Sequence, residues 1–446
     1  MKTIEDAVRE LKENKVKFTR FLYIDNDGVI RGNIAVGEKA TGDLASGHTF
    51  SMGMPFFSVL DTMGPETQFG CTGELTALPD LDTLTILPYI SDSASVICDF
   101  VKKDTMETSE ICARSLLKRI LKDIPFEVSA AFENEFYVIR REDNAYLPFD
   151  KSLCFATGGM NQAHPLISDL VEALEKQNIK VIKYHPEYGP GQHEIAISHA
   201  GVLQACDNQV IFRETARGVA ANHDLIISFM PKPFENLAGS GSHAHLSFWK
   251  DGKNAFYDKS DPSLLSETGR YFIGGILHHI NALCAFTAST VTSYKRLLPH
   301  NWASAFSCYG TDNREAAVRV ISGQKSAEES GFNLEFKPTD GACNPYLAMA
   351  ALLVAGMDGI RNRLEPGEPT LVDPLSLSLD ERQRRGIHRL PEHLGEAAEA
   401  LRNDPLFAGE MGTVLVDEYC KLKMFDWREY LRNVTSWEID KYISAF

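Results

Sequence analysis

Several common features are missing from this chain, and each absence excludes something. Its N-terminus, Met1-Lys2-Thr3-Ile4-Glu5-Asp6, has no apolar signal core. The most apolar stretch, Leu347–Gly356, is too short and too rich in alanine to span a bilayer. The nine cysteines are odd in number and form no CxxC pair, so no disulfide frame is expected and a reducing compartment is. No GxxxxGK[ST] occurs, which excludes a P-loop as nucleotide cradle, and no GxGxxG opens a helix. Internal repeats and low-complexity segments are absent. Basic residues are outnumbered 45 to 61, and the net charge of −16 argues against nucleic acid as the principal ligand.

What remains is a chain of 446 residues, room for two or three domains. Hydrophobic residues make up 44 % and charged ones 24 %, so a large core is available and nothing points to disorder. A soluble cytoplasmic protein with no membrane segment is expected. Thr3 to Asp6 has the form of a capping box, and Ile4, Val8 and Leu11 follow at helical spacing. Val16, Phe18, Leu22 and Ile24 predict a strand, and Asp27-Gly28 a hairpin leading to Val29–Ile30. Further strands are expected near Leu84–Leu87 and Ser95–Phe100, making the first hundred residues a small, mostly β unit. After the polar break Lys102-Lys103-Asp104, helices are expected around Ile111–Ile120, over Leu166–Gln177, over Gly274–Thr290, from Asn344-Pro345-Tyr346 through Asp358, and along the tail Glu418–Phe446.

Two strand-like stretches carry unusual chemistry. In Phe132-Glu133-Asn134-Glu135-Phe136, a spacing of two puts Glu133 and Glu135 on one face. In Gly239-Ser240-Gly241-Ser242-His243-Ala244-His245-Leu246-Ser247, His243, His245 and Ser247 share a face. A third segment runs from His185 to Glu194, with Glu187 and Glu194 bracketing the turn-forming Gly189-Pro190-Gly191. In a fourth, Asn333-Leu334-Glu335-Phe336-Lys337, Glu335 and Lys337 share a strand face. Five carboxylates and one imidazole suit hard divalent cations such as Mg²⁺ or Mn²⁺. Taken singly, each pattern also fits a solvated strand face, a hydrogen-bonded histidine pair or an ordinary loop. Arg296, Arg314 and Arg319 supply positive charge in forks that match phosphate and carboxylate, or that form surface ion pairs.

These segments, in order along nearly the whole chain, resemble the glutamine synthetase superfamily. Glu133-Asn134-Glu135-Phe136 is similar to its ExEF strand, His185 to Glu194 to its HxE…GQxE segment, and Gly239 to Trp249 to its GSGxHxHxSxW signature. Tyr294-Lys295-Arg296-Leu297 is similar to YKRL, Asn313-Arg314 to Arg319 to NRxxxxR, and Asn344-Pro345-Tyr346-Leu347-Ala348 to NPYLA. The resemblance implies an α+β protein: a small N-terminal β-grasp domain (1–105) followed by a large catalytic α/β domain (106–446). It implies active sites between subunits of stacked rings, dodecamers or hexamers. It implies one metal on Glu135, Glu187 and Glu194 and a second on Glu133, His243 and Glu335, with two or three ions of Mg²⁺ or Mn²⁺ per site. His245 and Ser247 would touch ATP, Arg314 and Arg319 its phosphates, and Arg296 and Gly239 the amino acid substrate. The implied activity is ATP-dependent ligation of an acid and an amine through an acyl phosphate.

The sequence also departs from the family pattern. Ammonia-using members carry a glutamate in the segment after YKRL; here Pro299-His300-Asn301-Trp302-Ala303-Ser304 puts Trp302 in its place. Those members bind ammonium with an aspartate in an FDGSS segment; the nearest equivalent is Phe50-Ser51-Met52-Gly53, with Ser51 for the acid. An indole wall suits a cation that carries carbon. The expected donor is therefore an organic amine and the expected product a γ-glutamyl amide. The alternative is that Trp302 packs and another acid, Glu315, serves ammonia. Lys337 stands where Arg is usual and Ala238 where Asn is usual, which weakens the inference that glutamate is the acid. The stretch Leu375–Leu394 holds no tyrosine, so adenylylation control is not expected. A non-catalytic assembly protein is disfavoured because all six metal positions and three arginines are present.

Overall fold

The computed structural model describes residues 2–446. Thr3 caps the helix Ile4–Glu13 by accepting the Asp6 N–H at 3.1 Å, and the Asp6 carboxylate accepts the Thr3 N–H at 3.2 Å. Asp thus completes the reciprocal box in place of Glu. Six strands follow: β1 (Phe18–Ile24), β2 (Ile30–Val36), β3 (His48–Ser51), β4 (Glu74–Pro79), β5 (Thr85–Ile86) and β6 (Ser93–Lys102). They form one small sheet in the order β2-β1-β6-β4-β3, with β5 on β6. The expected hairpin is present, with Ile24 opposite Ile30 and Asp27-Gly28 in the turn.

That hairpin tip is driven into the rest of the molecule. Gly28 has φ +95°, and a Cβ there would lie 2.0 Å from the Ala342 carbonyl oxygen. Arg213 donates to the Gly28 carbonyl at 2.8 Å, and the Asn344 side chain donates to the Asp25 carbonyl at 3.0 Å. The buried Lys423 ammonium pairs with Asp27, and Asp426 accepts from Ser58. Replacing Lys423 with Met would leave Asp27 buried without its cation. Lys423→Met is expected to cost about 3–5 kcal/mol of stability, read from urea unfolding midpoints. A loss well under 1 kcal/mol would show that the pair is dispensable.

The second sheet has eleven strands: β7 (Glu127–Glu142), β8 (Ala145–Pro148), β9 (Val181–Pro186), β10 (Gln192–Ile197), β11 (Ala200–Gly201), β12 (Ile226–Ser228), β13 (Ser242–Lys250), β14 (Lys253–Asn254), β15 (Phe306–Thr311), β16 (Ala316–Ile321) and β17 (Asn333–Phe336). Its main path runs β15-β16-β17-β13-β7-β10-β9. Alternation along β7, β13 and β17 sends Phe132, Ala244, Leu246, Leu334 and Phe336 to one face. There they pack with the helix Pro345–Asn362 in one buried cluster. The other face is left for the polar set.

Three expected helices differ in extent. The one expected over Leu166–Gln177 begins at Thr157 and carries Pro165 inside it. The stretch Gly274–Thr290 is two helices, Glu267–His278 and Ile280–Thr287, parted at His279. His279 is held there by Asp404 at 2.6 Å and Asp358 at 3.3 Å, side-chain ties that apolar periodicity does not register. The tail is also two helices, Thr413–Leu431 and Ser436–Tyr442, and the second buries no residue.

Candidate active site

Strand register assembles the polar face residue by residue. Glu133 lies opposite His243, Glu135 opposite Glu194, and Glu194 opposite His185. His245 lies opposite Glu335, and Glu335 opposite Arg319. Cross-strand partners share a face, so one face of six adjacent strands, β16 to β9, carries all of these groups.

Two knots of ligand-type atoms form on it. His243 Nδ1 is 3.3 Å from Glu133 and 3.2 Å from Glu335, and its Nε2 is 3.8 Å from Glu135. His245 Nε2 lies 3.4 Å from Glu133 and its Nδ1 2.8 Å from Asn333 Oδ1. In the second knot, His185 Nε2 is 3.0 Å from Glu187 and 3.8 Å from Glu194. Glu133, His245 and Glu335, and separately His185, Glu187 and Glu194, bring ligand atoms within 4.8 Å of one another. Sequence reasoning missed His185 as a site residue, although it stands two residues before Glu187, the same spacing of two. Glu135 is fixed between the knots by the Gly241 N–H at 2.8 Å and the Gln192 amide at 3.3 Å.

The charges of this face are not balanced. Burial and the nearby Glu133 and Glu135 carboxylates push Glu194 up to about 7. Burial also works against Glu133, but hydrogen bonds from His243 and His245 outweigh it and hold the carboxyl well below its ordinary range. Burial opposes ionisation of Glu335 too, and the Lys337 charge and His243 overcome it. His243 is depressed by burial and by Lys337, yet Glu133 and Glu335 lift it to about 9. A carboxylate short of positive charge beside an imidazole holding a proton is the condition a divalent cation would relieve. The donors are oxygen and imidazole nitrogen, which fits Mg²⁺ or Mn²⁺.

A ligating imidazole must be neutral. Cation binding is therefore expected to displace the His243 proton and part of the Glu194 proton. Mn²⁺ affinity should rise with pH from about 7 to about 9, by up to about tenfold per unit. Calorimetry in buffers of different ionisation enthalpy reads the proton release, and an affinity flat across this window would remove His243 from the ligand set.

Of the remaining expected residues, Ser247, Arg319, Lys337, Arg296 and Gly239 lie beside these knots. A cavity of about 270 Å³ opens beside Glu133, His245 and Ser247 and is walled by Ile182, Trp249 and Phe332. Ser247 Oγ accepts the Trp249 indole N–H at 2.9 Å. Arg319 pairs with Glu335 at 3.1 Å, and Lys337 reaches the same carboxylate at 3.3 Å. Arg296 is buried and donates to the Thr339 and Lys337 carbonyls at 3.1 and 3.3 Å. A Cβ on Gly239 would lie 2.4 Å from Arg296 Cγ, so the arginine stem needs glycine there. Trp302 is exposed, and its backbone N–H donates to Glu315 Oε1 at 3.0 Å. The Arg314 guanidinium lies 5.8 Å from the centre of the indole. Three non-glycine residues of this loop, His300, Trp302 and Ser304, have φ between +51° and +62°. Ser51 lies apart in β3, its hydroxyl donating to the Gly70 carbonyl at 3.0 Å within the small domain.

A partly buried face of carboxylates and imidazoles rimmed by arginines is the equipment of an enzyme that handles phosphorylated substrates with divalent cations. Family comparison gives the class a name. The models for the glutamine synthetase N-terminal domain and catalytic domain match residues 3–111 and 110–442. The chain belongs to the glutamine synthetase family and is an ATP-dependent ligase, and that family works with ATP and divalent metal ions. It is 34 % identical over 457 residues to a glutamine synthetase of Methanocaldococcus jannaschii, covering 99 % of this chain and 98 % of that one. It is 32 % identical over 457 residues to a glutamate–methylamine ligase of Methyloversatilis universalis, covering 99 % of each. Among solved structures, a GmaS/ADP complex matches with a TM-score of 0.85, 27 % identity and full coverage of both chains.

Proposed function

We propose that this chain joins the side-chain carboxylate of L-glutamate to an organic amine, through a γ-glutamyl phosphate, and releases ADP and phosphate. The observation that carries the reading is Trp302, an exposed indole beside the arginine assigned to phosphate, where a carboxylate would suit ammonium. Glu135, Glu187 and Glu194 would hold one Mg²⁺ or Mn²⁺, and Glu133, His243 and Glu335 another, for two or three ions per site. Bound there, the cations would neutralise the phosphates of ATP. His245 and Ser247 border the nucleotide. Arg314 and Arg319 hold the phosphoryl group in transfer, while Arg296, Gly239 and Lys337 hold the amino acid. The substrate carboxylate attacks the γ-phosphorus and ADP leaves. The amine nitrogen then attacks the acyl carbon, phosphate leaves, and exclusion of water protects the intermediate. Homo-oligomeric rings and a cytoplasmic setting belong to the same reading, with Ser51 facing a neighbouring subunit's site.

Glutamine synthesis from ammonia is the second reading, favoured by the glutamine synthetases among the similar proteins. Phosphate release with ATP and glutamate over ammonium, methylamine, ethylamine, ethanolamine and polyamines separates the two. An organic amine is expected to exceed ammonium in kcat/KM. Ammonium matching every amine would overturn the first reading.

A further inference from the structure

Glu315 is hydrogen-bonded to the loop that carries Trp302. It stands in the turn one residue ahead of β16, the strand that carries Arg319. Arg319 lies opposite Glu335, and the Lys337 N–H donates to the Ala317 carbonyl at 3.0 Å. Glu315 thus sits in the turn that leads into this strand, within electrostatic reach of Lys337. Its Oε1 accepts the Trp302 N–H. Among the described residues, no cation lies within 4 Å of its carboxylate and Oε2 has no hydrogen-bond partner. The charges around it are Arg314, stacked on the indole, Lys337, and the His300–Asp373 pair at 2.9 Å. A half-buried carboxylate with one free oxygen thus holds the backbone of the residue whose exposed indole already accepts a guanidinium.

We propose that Glu315 takes the proton from the amine donor while Trp302 holds the donor's carbon against it. This rests on the organic-amine reading and makes the two residues partners instead of alternatives. The donor arrives as R–NH3⁺. Glu315 Oε2 accepts one proton, and the freed lone pair forms the C–N bond as the bond from acyl carbon to phosphoryl oxygen breaks. Phosphate leaves with that electron pair and takes a second N–H proton, giving the neutral amide. Glu315 returns its own proton to water. Burial, aided by Asp373 and opposed by the Trp302 N–H, raises the Glu315 carboxyl, which strengthens it as a base.

The test is Glu315→Gln. The amide oxygen still accepts the Trp302 N–H, so the loop keeps its tie. Phosphate release is compared with ethylamine, a cation at neutral pH, and with hydroxylamine, which is neutral there and has no proton to give up before attack. The ethylamine rate is expected to fall on the order of 10²-fold or more. The hydroxylamine rate should stay within about threefold. The residual ethylamine rate in the variant should climb with the free-base fraction, about tenfold per pH unit, more steeply than in the wild type. Equal loss with both donors, or loss with neither, overturns the proposal. If the wild-type chain prefers ammonium to every alkylamine, the organic-amine reading falls instead. Ammonium against hydroxylamine then decides the role of Glu315 separately.

Discussion

Replacing Arg319 with alanine is expected to lower phosphate release at saturating ATP and amine by on the order of 10³-fold. Its guanidinium lies on the polar face beside Glu335, and its Nε–H has no hydrogen-bond partner among the described residues. A pre-placed donor aimed at developing phosphoryl charge costs no reorganisation when the reaction occurs. Glu335 would keep Lys337 at 3.3 Å and His243 at 3.2 Å, so the variant should stay folded. Thermal unfolding checks that point. Arg319→Lys should recover little, because an ammonium cannot present the planar fork. Activity within tenfold of wild type would remove Arg319 from the phosphoryl site.

Exchanging Trp302 for glutamate should redirect the donor. An indole offers apolar contact and cation–π attraction to an alkylammonium, whereas a carboxylate favours a small hydrated cation. The kcat/KM ratio of ethylamine to ammonium is expected to fall by on the order of 10²-fold in Trp302→Glu. Competition between the two donors in one reaction, with both products quantified, reads the ratio directly. A ratio unchanged within about threefold would show that the indole does not face the donor. The loop tolerates the exchange in principle, since the tie to Glu315 uses the backbone of residue 302.

The parts of this protein legible in its residues are those with short-range causes. A period of two is local, so sequence alone places Glu133 with Glu135, and His243 with His245, on shared faces. The Asp27-Gly28 turn and the Thr3–Asp6 cap are also local devices, and both are present. Register between distant strands is not local. That His185 opposes Glu194 and His245 opposes Glu335 depends on pairing across a sheet of eleven strands. For that reason the pairing of His185 with Glu194 and the nearness of His245 to Glu133 cannot be read from spacing, although the His185–Glu187 interval of two can. The break at His279 is hidden because helical apolar spacing continues through it, while its cause lies in Asp358 and Asp404. Trp302 and Glu315, thirteen residues apart, give no sign in the sequence of being hydrogen-bonded.

The turn at Gly28 bears on how this architecture can change over time. Its carbonyl is gripped by Arg213, and no side chain fits between it and Ala342. The small β unit is thus keyed into the start of the helix Pro345–Asn362, far along the chain, and not only leashed to residues just after it. A module held by a tether can be lost, duplicated or exchanged between genes. One locked this way must vary in concert with its host, so recombination near residue 105 should yield insoluble halves, and new donor preferences should arise through point changes in loops such as 299–304.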